Sequence, residues 1–335
     1  MIKKIAIVAG GDSSEYVVSL RSAQGIWSFL NHDKYDVSVI VMKGQDWHMV
    51  EYDGQNYHND KTWPVNLNDF SVDKDGQRLT FDFAYIIIHG TPGENGLVQG
   101  YFDLIGLPYS CCGVLAAALT CSKYFCNKYL STMGIPVAKS ILLHKGESVS
   151  TEEAVAQLGL PMFVKPTDSG SSFGVTKVKR IEDFDKAVEL AFSEGQTLLC
   201  EEAITGQELQ VGVYANGKDV VALPVIEIVS ENEFFDYDAK YNGKSQEICP
   251  ARIPDADRDA LQEAARRIYR RMDCSGCVRI DFILTPEKEV YFLEINTIPG
   301  MTGASLFPKA AKAVGIGFGE LCRRIAQISL NQSRS

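Results

Sequence analysis

The chain has 335 residues, 45% of them hydrophobic and 23% charged, a balance typical of globular proteins that excludes disordered and collagen-like classes. At roughly 100 to 200 residues per domain, the length predicts two or three domains. The net charge is −10 and no basic stretch has interleaved aromatics, so nucleic acid is not an expected partner.

The opening MIKKIAIVAGG has an apolar run too short for a secretory h-region, and no apolar stretch is long enough to span a bilayer. No membrane insertion is expected, and the cytoplasm is the expected compartment. The nine cysteines are an odd number scattered through apolar segments, and they read as reduced core residues. Cys274 and Cys277 have CxxC spacing, but no second pair completes a zinc set, so a structural role is expected.

Lys4 to Ala9 is a short β-branched run ending in Gly10-Gly11, and Ser19 to Leu30 has apolar residues at helical spacing, which together predict a βα unit. Tyr35 to Met42 and Phe83 to Ile88 are further apolar runs, predicting a parallel sheet with helices on its faces. The polar stretch from Gln45 to Asp82 reads as loops and edge strands. A helix is expected from Ser122 to Met133, after the small-residue segment Gly113 to Thr120 and before Gly134-Ile135-Pro136, with a domain boundary near 122. A strand into Phe163 and Val164, a glycine-serine loop, a helix around Phe184 to Phe192 and a strand at Leu198 to Glu201 follow. The last third reads as a long polar loop from Ser230 to Pro250, a helix from Asp257 to Met272, a strand pair and a closing helix.

The strand pair carries the clearest chemical signal. In VRIDFILTPEKEVYFLEIN the strands are separated by Thr285-Pro286-Glu287-Lys288-Glu289, which predicts a β-hairpin. Symmetry about the bond between Glu287 and Lys288 sets Asp281 opposite Glu294 and Arg279 opposite Asn296, all on one face. The other face would carry Val278, Ile280, Phe282, Leu284, Tyr291, Leu293 and Ile295. Like charges directly opposite repel, so Asp281 and Glu294 invite a cation, and two carboxylates with an amide oxygen suit magnesium in the company of phosphate and water. A solvated sheet face on which Arg279 pairs both acids is the alternative.

Val164-Lys165-Pro166 leads into Thr167-Asp168-Ser169-Gly170-Ser171-Ser172-Phe173-Gly174, whose backbone can nest phosphate oxygens while Lys165 supplies a charge. It is not a Walker A loop, because no Lys-Ser/Thr follows the last glycine. Glu201, Glu202 and Glu208 offer carboxylates that could accept from an adenine amino group or ribose hydroxyls.

Taken together, GGDSSEYVVS, HGTPGENGLVQG, YSCCGVLAAALTCSK, FVKPTDSGSSFGV, EEAITGQE, FFDYDAKY, RIDF and LEINTIPGMTGASL run through nearly the whole chain in order, and in this it resembles the D-alanine–D-alanine ligases of the ATP-grasp superfamily. The resemblance implies a three-domain α/β and α+β architecture: an N-terminal α/β domain (1–122), a central subdomain with the phosphate loop (123–203) and a C-terminal subdomain with the metal site and closing loop (204–330), with ATP between the last two. It also implies that ATP phosphorylates the carboxylate of a first D-alanine and that the amine of a second attacks the acyl phosphate, for peptidoglycan precursor synthesis. A homodimer is implied too.

By the same resemblance, Lys123, Lys165, Ser171, Ser172, Glu201, Glu202, Ile204, Glu208 and Lys240 would hold the nucleotide, and Asp281, Glu294 and Asn296 two magnesium ions, or manganese. Arg279 and the Gly300 N–H would stabilise the oxyanion, Glu15 the first ammonium, and Ser305 and Leu306 the second carboxylate, with His89 touching substrate. Tyr241 would close the site through Ser171 to Glu15, and in the family a tyrosine there accompanies the dipeptide where phenylalanine accompanies the D-lactate ester. The sequence departs from the family pattern at Tyr16, where histidine or another polar residue is common, at Asn95 in place of aspartate, and at Glu202, a place often held by lysine. A ligase for another amino or hydroxy acid, which would alter Glu15, Tyr241 or Ser305, and a non-catalytic nucleotide carrier are the competing readings. Arg279 beside the acids argues against the carrier, since binding alone needs no oxyanion donor.

Overall fold

The computed structural model describes residues 2–167, 174–230 and 245–331, which form three sheets with helices packed around them. In the first sheet, β1 (Lys3–Gly10) lies between β2 (Tyr35–Lys43) and β7 (Phe83–Ile86), and both pairings are parallel. Ile5 to Ala9 are fully buried, as expected for a strand covered on both faces. Helix α1 (Tyr16–Phe29) covers one face with Ala23 and Ile26.

The expectation of a parallel sheet holds only for this centre. The polar stretch after β2 forms β3 (Asp46–Tyr52), β4 (Tyr57–Asn66), β5 (Ser71–Lys74) and β6 (Gln77–Leu79), which extend the sheet antiparallel to the order β6-β5-β4-β3-β2-β1-β7. Much of β4 is exposed, so these strands tolerate the polar residues that weaken their signal in the sequence.

Helices α2 (Leu97–Ile105), α3 (Val114–Cys121) and α4 (Lys123–Thr132) follow, so the small-residue segment is itself helical. The second sheet has the order β10-β9-β11-β8, built from β8 (Ser140–His144), β9 (Met162–Pro166), β10 (Thr176–Val178) and β11 (Thr197–Glu202). Helices α5 (Thr151–Leu158) and α6 (Phe184–Glu194) pack on it through Ala154, Leu158, Ala187 and Ala191.

The third sheet contains β12 (Gln207–Asn216), β13 (Asp219–Ala222), β14 (Ile226–Ser230), β15 (Ser245–Ile248), β16 (Cys277–Leu284) and β17 (Val290–Asn296). Helix α7 (Asp255–Arg271) packs on it through Leu261, Ala265 and Ile268, and α4 adds Cys126 and Leu130 to the same core. Helices α8 (Leu306–Ala313) and α9 (Phe318–Asn331) return to the first sheet, where Phe307, Leu321 and Ile325 join the core built on Ile5 and Ile7. All nine cysteines are free thiols; seven, Cys274 and Cys277 among them, are buried, but Cys249 is half-buried and Cys121 is exposed, so these two are not the core residues expected.

Within the hairpin of β16 and β17, Arg279 pairs with Asn296 and Asp281 with Glu294, but the register shifts by one at Asp281/Phe282 and Phe282 then faces Phe292. A β-bulge of this kind leaves one residue unpaired and reverses the alternation beyond it. Phe292 and Val290 therefore join the core with Ile280, Phe282 and Ile295, whereas the expected Tyr291 and Leu293 do not. The bulge corrects the apolar face and leaves the polar face as expected.

Candidate active site

The site is built on the polar face of the third sheet. Asp281 is 2% exposed, whereas Arg279, Glu294 and Asn296 beside it are half-buried. Arg279 grips it with two bonds, Nε to Oδ1 at 2.8 Å and Nη2 to Oδ2 at 2.9 Å, and Nη2 lies 3.9 Å from Glu294 Oε1. Burial penalises the guanidinium charge, but Asp281 and Glu294 outweigh it and hold the pKa of Arg279 above its ordinary value. Lys123, at the first position of α4, places Nζ 3.3 Å from Glu294 Oε2, and Glu294 raises its pKa against the opposing effect of burial. The two opposed carboxylates thus have two cations beside them. Gln210 donates to Asp281 Oδ2 at 3.4 Å from β12, and Asn296 Oδ1 accepts the Ile298 N–H at 2.9 Å.

A second ion pair lies inside the neighbouring sheet. Lys165 Nζ is 2.5 Å from Glu201 Oε2, and Asn127 Nδ2 donates to Glu201 Oε1 at 3.2 Å. Asn127 sits one helical turn after Lys123 on α4, so one helix serves both carboxylate groups. Glu202 turns the other way: Oε1 accepts the Lys139 N–H at 2.8 Å. Ile204 and Glu208 are half-buried, in the connection from β11 and at the start of β12.

The first sheet contributes its loops. Gly10 and Gly11 both have φ near +98°, and a Cβ on Gly10 would stand 2.4 Å from the Met42 carbonyl, so the chain can turn here only with glycine. The turn delivers Glu15 to the start of α1, where Ser13 Oγ accepts the Glu15 N–H at 3.2 Å and donates to the His89 carbonyl at 2.7 Å. His89 is 5% exposed, and its Nδ1 faces the Ile298 carbonyl at 3.1 Å, which only accepts, so Nδ1 carries the hydrogen and Nε2 is left as an acceptor without a partner among the described residues. Burial lowers the pKa of His89, while Glu15 pulls it back. Glu94 accepts the Gly90 N–H at 2.8 Å, and burial pushes its carboxyl up to about 7.

From the C-terminal side, a Cβ on Gly300 would meet Ser305 Oγ at 2.8 Å, so a bare backbone is needed there. Ser305 precedes α8, and its hydroxyl bonds Thr302 instead of capping the helix. Pro308 has no N–H, which leaves the Leu306 and Phe307 N–H groups as the donors of the first turn.

A cavity of about 850 Å³ joins Glu15, His89, Glu94, Lys123, Arg279, Glu294, Asn296, Gly300, Ser305 and Leu306 in its walls. Asp281, Lys165, Glu201, Glu202, Ile204 and Glu208 do not line it. The expected Ser171, Ser172, Lys240 and Tyr241 lie outside the described residues. Several polar groups of the site carry no sequence expectation, among them Glu94, Asn127 and Gln210. Asn127 has a readable signal, its four-residue spacing from Lys123; Glu94 sits within HGTPGENG but looks like an ordinary turn residue.

Comparison with known proteins agrees with this geometry. The family model for the D-ala D-ala ligase N-terminus matches residues 4–112, and that for the C-terminus matches residues 129–327. A D-alanine–D-alanine ligase of Phocaeicola vulgatus is 50% identical over 316 residues, covering 94% of this chain and 96% of its own, and that of Parabacteroides distasonis is 47% identical over the full length of both, 100% each. Among solved structures, the VanG D-Ala:D-Ser ligase of Enterococcus faecalis superposes with a TM-score of 0.89 at 34% identity, covering 98% of this chain and 100% of its own. A Bacillus anthracis D-alanine–D-alanine ligase complexed with ATP gives 0.79 at 29% identity, covering 98% and 97%. Two family models spanning most of the chain, near-complete coverage and the shared ATP-grasp fold lead to one conclusion: the chain belongs to the D-alanine–D-alanine ligase family.

Proposed function

We propose that the chain joins two D-alanine molecules in the cavity between its three sheets, using ATP and releasing ADP and phosphate, and so supplies the dipeptide for peptidoglycan precursors. The observation that carries this reading is the meeting of Glu15, Arg279, Gly300 and the α8 N-terminus in one cavity wall, although they come from distant parts of the sequence. Glu15 binds the ammonium of the first D-alanine, and His89 beside it presents Nε2 to the same substrate. Its carboxylate accepts the γ-phosphoryl group of ATP, which Lys123 and Lys165 help to hold. Glu201, Glu202, Ile204 and Glu208 receive the rest of the nucleotide, with Ser171, Ser172 and Lys240 at its phosphates.

Asp281, Glu294 and Asn296 suit magnesium or manganese, because three hard oxygen donors share one face of adjacent strands. We assign them two ions, which when bound neutralise charge on the phosphate oxygens. Arg279 and the Gly300 N–H stabilise the oxyanion formed when the second D-alanine attacks, a fixed array that needs no reorganisation. The Leu306 N–H, with Ser305, receives the second carboxylate at the positive end of α8. Closure of Tyr241 over the site, through Ser171 to Glu15, keeps water from the acyl phosphate.

The functional division is into 1–122, 123–203 and 204–330, in the cytoplasm, where ATP and reduced thiols are available; among the described residues no helix is long and apolar enough to cross a membrane. A homodimer would cover Leu97, Leu104 and Leu115, which stand 65%, 88% and 77% exposed on α2 and α3. Light scattering should give twice the chain mass, and a single-chain mass would reject the dimer. The deciding assay for the reaction is phosphate release from ATP and magnesium with D-alanine, L-alanine, D-serine or no amino acid. Release with D-alanine alone, with dipeptide in the products, is the expected result. No stimulation by any of them, from folded protein that binds ATP, would reject the substrate assignment.

A further inference from the structure

The reaction proposed above leaves one proton without a destination. An amino acid enters as its ammonium form, and its nitrogen has no lone pair for the acyl carbon until a proton departs. Glu15 is assigned to the first ammonium, and Asp281 and Glu294 to the phosphate side.

Glu94 lies in the wall of the same cavity, on the loop between β7 and α2. Its Oε2 is fixed by the Gly90 N–H at 2.8 Å, and its own N–H returns a bond to the Gly90 carbonyl at 2.8 Å. Oε1 has no hydrogen-bond partner among the described residues. The carboxylate is therefore held still by one oxygen and open at the other.

The charged groups facing it are Glu15 from the loop before α1, Arg279 from β16 and Glu294 from β17. Burial raises the carboxyl most, the Gly90 N–H opposes that, Glu15 and Glu294 add to it, and Arg279 subtracts, leaving it near 7. A base poised at the working pH combines a deprotonated fraction with real basicity. His89 is the neighbouring alternative, with Nε2 unpartnered among the described residues, but burial lowers its pKa and makes it the weaker acceptor.

We infer that Glu94 is a catalytic residue, the base that takes a proton from the ammonium of the acceptor amino acid; this rests on the ligase reading above. Oε1 accepts one proton of the ammonium, and the freed lone pair attacks the acyl carbon. The C–N bond forms, the C–O bond to phosphate breaks, and the second surplus proton on nitrogen leaves with the phosphate as hydrogen phosphate. Glu94 then returns its proton to solvent.

Glu94→Gln keeps an oxygen for the Gly90 N–H and removes the base, which separates a brace from a proton acceptor. The assay supplies D-alanine, ATP and magnesium with and without hydroxylamine, a nitrogen nucleophile that is largely neutral at neutral pH. The expected result is a fall in dipeptide formation on the order of 10²-fold or more in the variant, with hydroxamate formation kept within a few-fold of wild type. The acid limb near 7 in the wild-type kcat/KM profile should disappear with it. Equal loss of both products, or an unchanged dipeptide rate, would overturn the inference. Wild-type protein that makes neither product would defeat the ligase reading itself, and that is a different result.

Discussion

Arg279 is surrounded by three carboxylates, and two of them, Asp281 and Glu94, show how far partners decide what a carboxylate can do. Asp281 is locked by two guanidinium bonds and by strand pairing to Glu294 and Gln210. Glu94 has a single backbone N–H and no cation within bonding distance among the described residues. A carboxylate held as an ion pair is a fixed anion suited to phosphate and metal chemistry, whereas one whose charge is poorly compensated moves toward neutral pH and can exchange a proton. The two differ in what the fold brings to them, not in chemistry.

Breaking the locked side should have the largest effect. Arg279→Met removes the oxyanion donor and strips the buried Asp281 of its two guanidinium bonds. Activity should fall on the order of 10²- to 10³-fold, as for loss of an oxyanion-hole donor. Stability should fall by about 3 to 5 kcal/mol, as for a broken buried ion pair. Denaturant melts beside product assays check both; a variant as stable as wild type would mean that the clamp does not hold Asp281 in solution.

The next effect tests the second locked carboxylate, Glu201. Asn127→Ala removes its amide donor while Lys165 stays, so the loss should be about 1 to 3 kcal/mol of stability. Because Glu201 belongs to the proposed nucleotide wall, the KM for ATP should rise with little change in the KM for D-alanine. An equal rise in both would show that Asn127 supports the whole cleft.

These residues also mark what could be read from the sequence. The hairpin was legible because period-two alternation and a turn fix which residues share a face, and Arg279, Asp281, Glu294 and Asn296 do share one. The bulge before Phe292 was not, because one extra residue in a strand of apolar and aromatic side chains leaves no break in the pattern. The parallel centre of the first sheet was legible from its continuous apolar runs. Its antiparallel extension was legible only as loops and edge strands without an order, since exposed strands such as β4 carry the polar residues of a loop. Glu94 was not legible because a glutamate in a glycine-rich turn looks solvated, and the charges that face it, Glu15, Arg279 and Glu294, arrive from elsewhere in the chain.

A smaller change gives a control for the losses above. Ser150 caps α5 in a capping box, accepting the Glu153 N–H while Glu153 accepts the Ser150 N–H, and the core beneath α5 contributes no residue to the cavity. Ser150→Ala should lower stability by about 1 kcal/mol and leave activity unchanged. A drop in activity at that cost would mean that any modest destabilisation disables the cleft, and the Asn127 result would lose its meaning.

The finest test returns to the contrast between Glu94 and Asp281. The carboxyl of Glu94 is raised from 4.5 to about 7 in the folded chain, so folding favours its protonated form. Its contribution is therefore fully present below 4.5 and is lost as the pH rises through about 7. Glutamine is neutral throughout, so Glu94→Gln should melt higher than wild type at pH 8, and the advantage should shrink as the pH falls across that window. The group is half-buried, so screening should keep the gain below about 1 kcal/mol. Asp281→Asn should show the opposite sign at pH 8, because it strips Arg279 of its charged partner. Two variants that both stabilise, or both destabilise, at that pH would erase the distinction between the fixed anion and the exchangeable one.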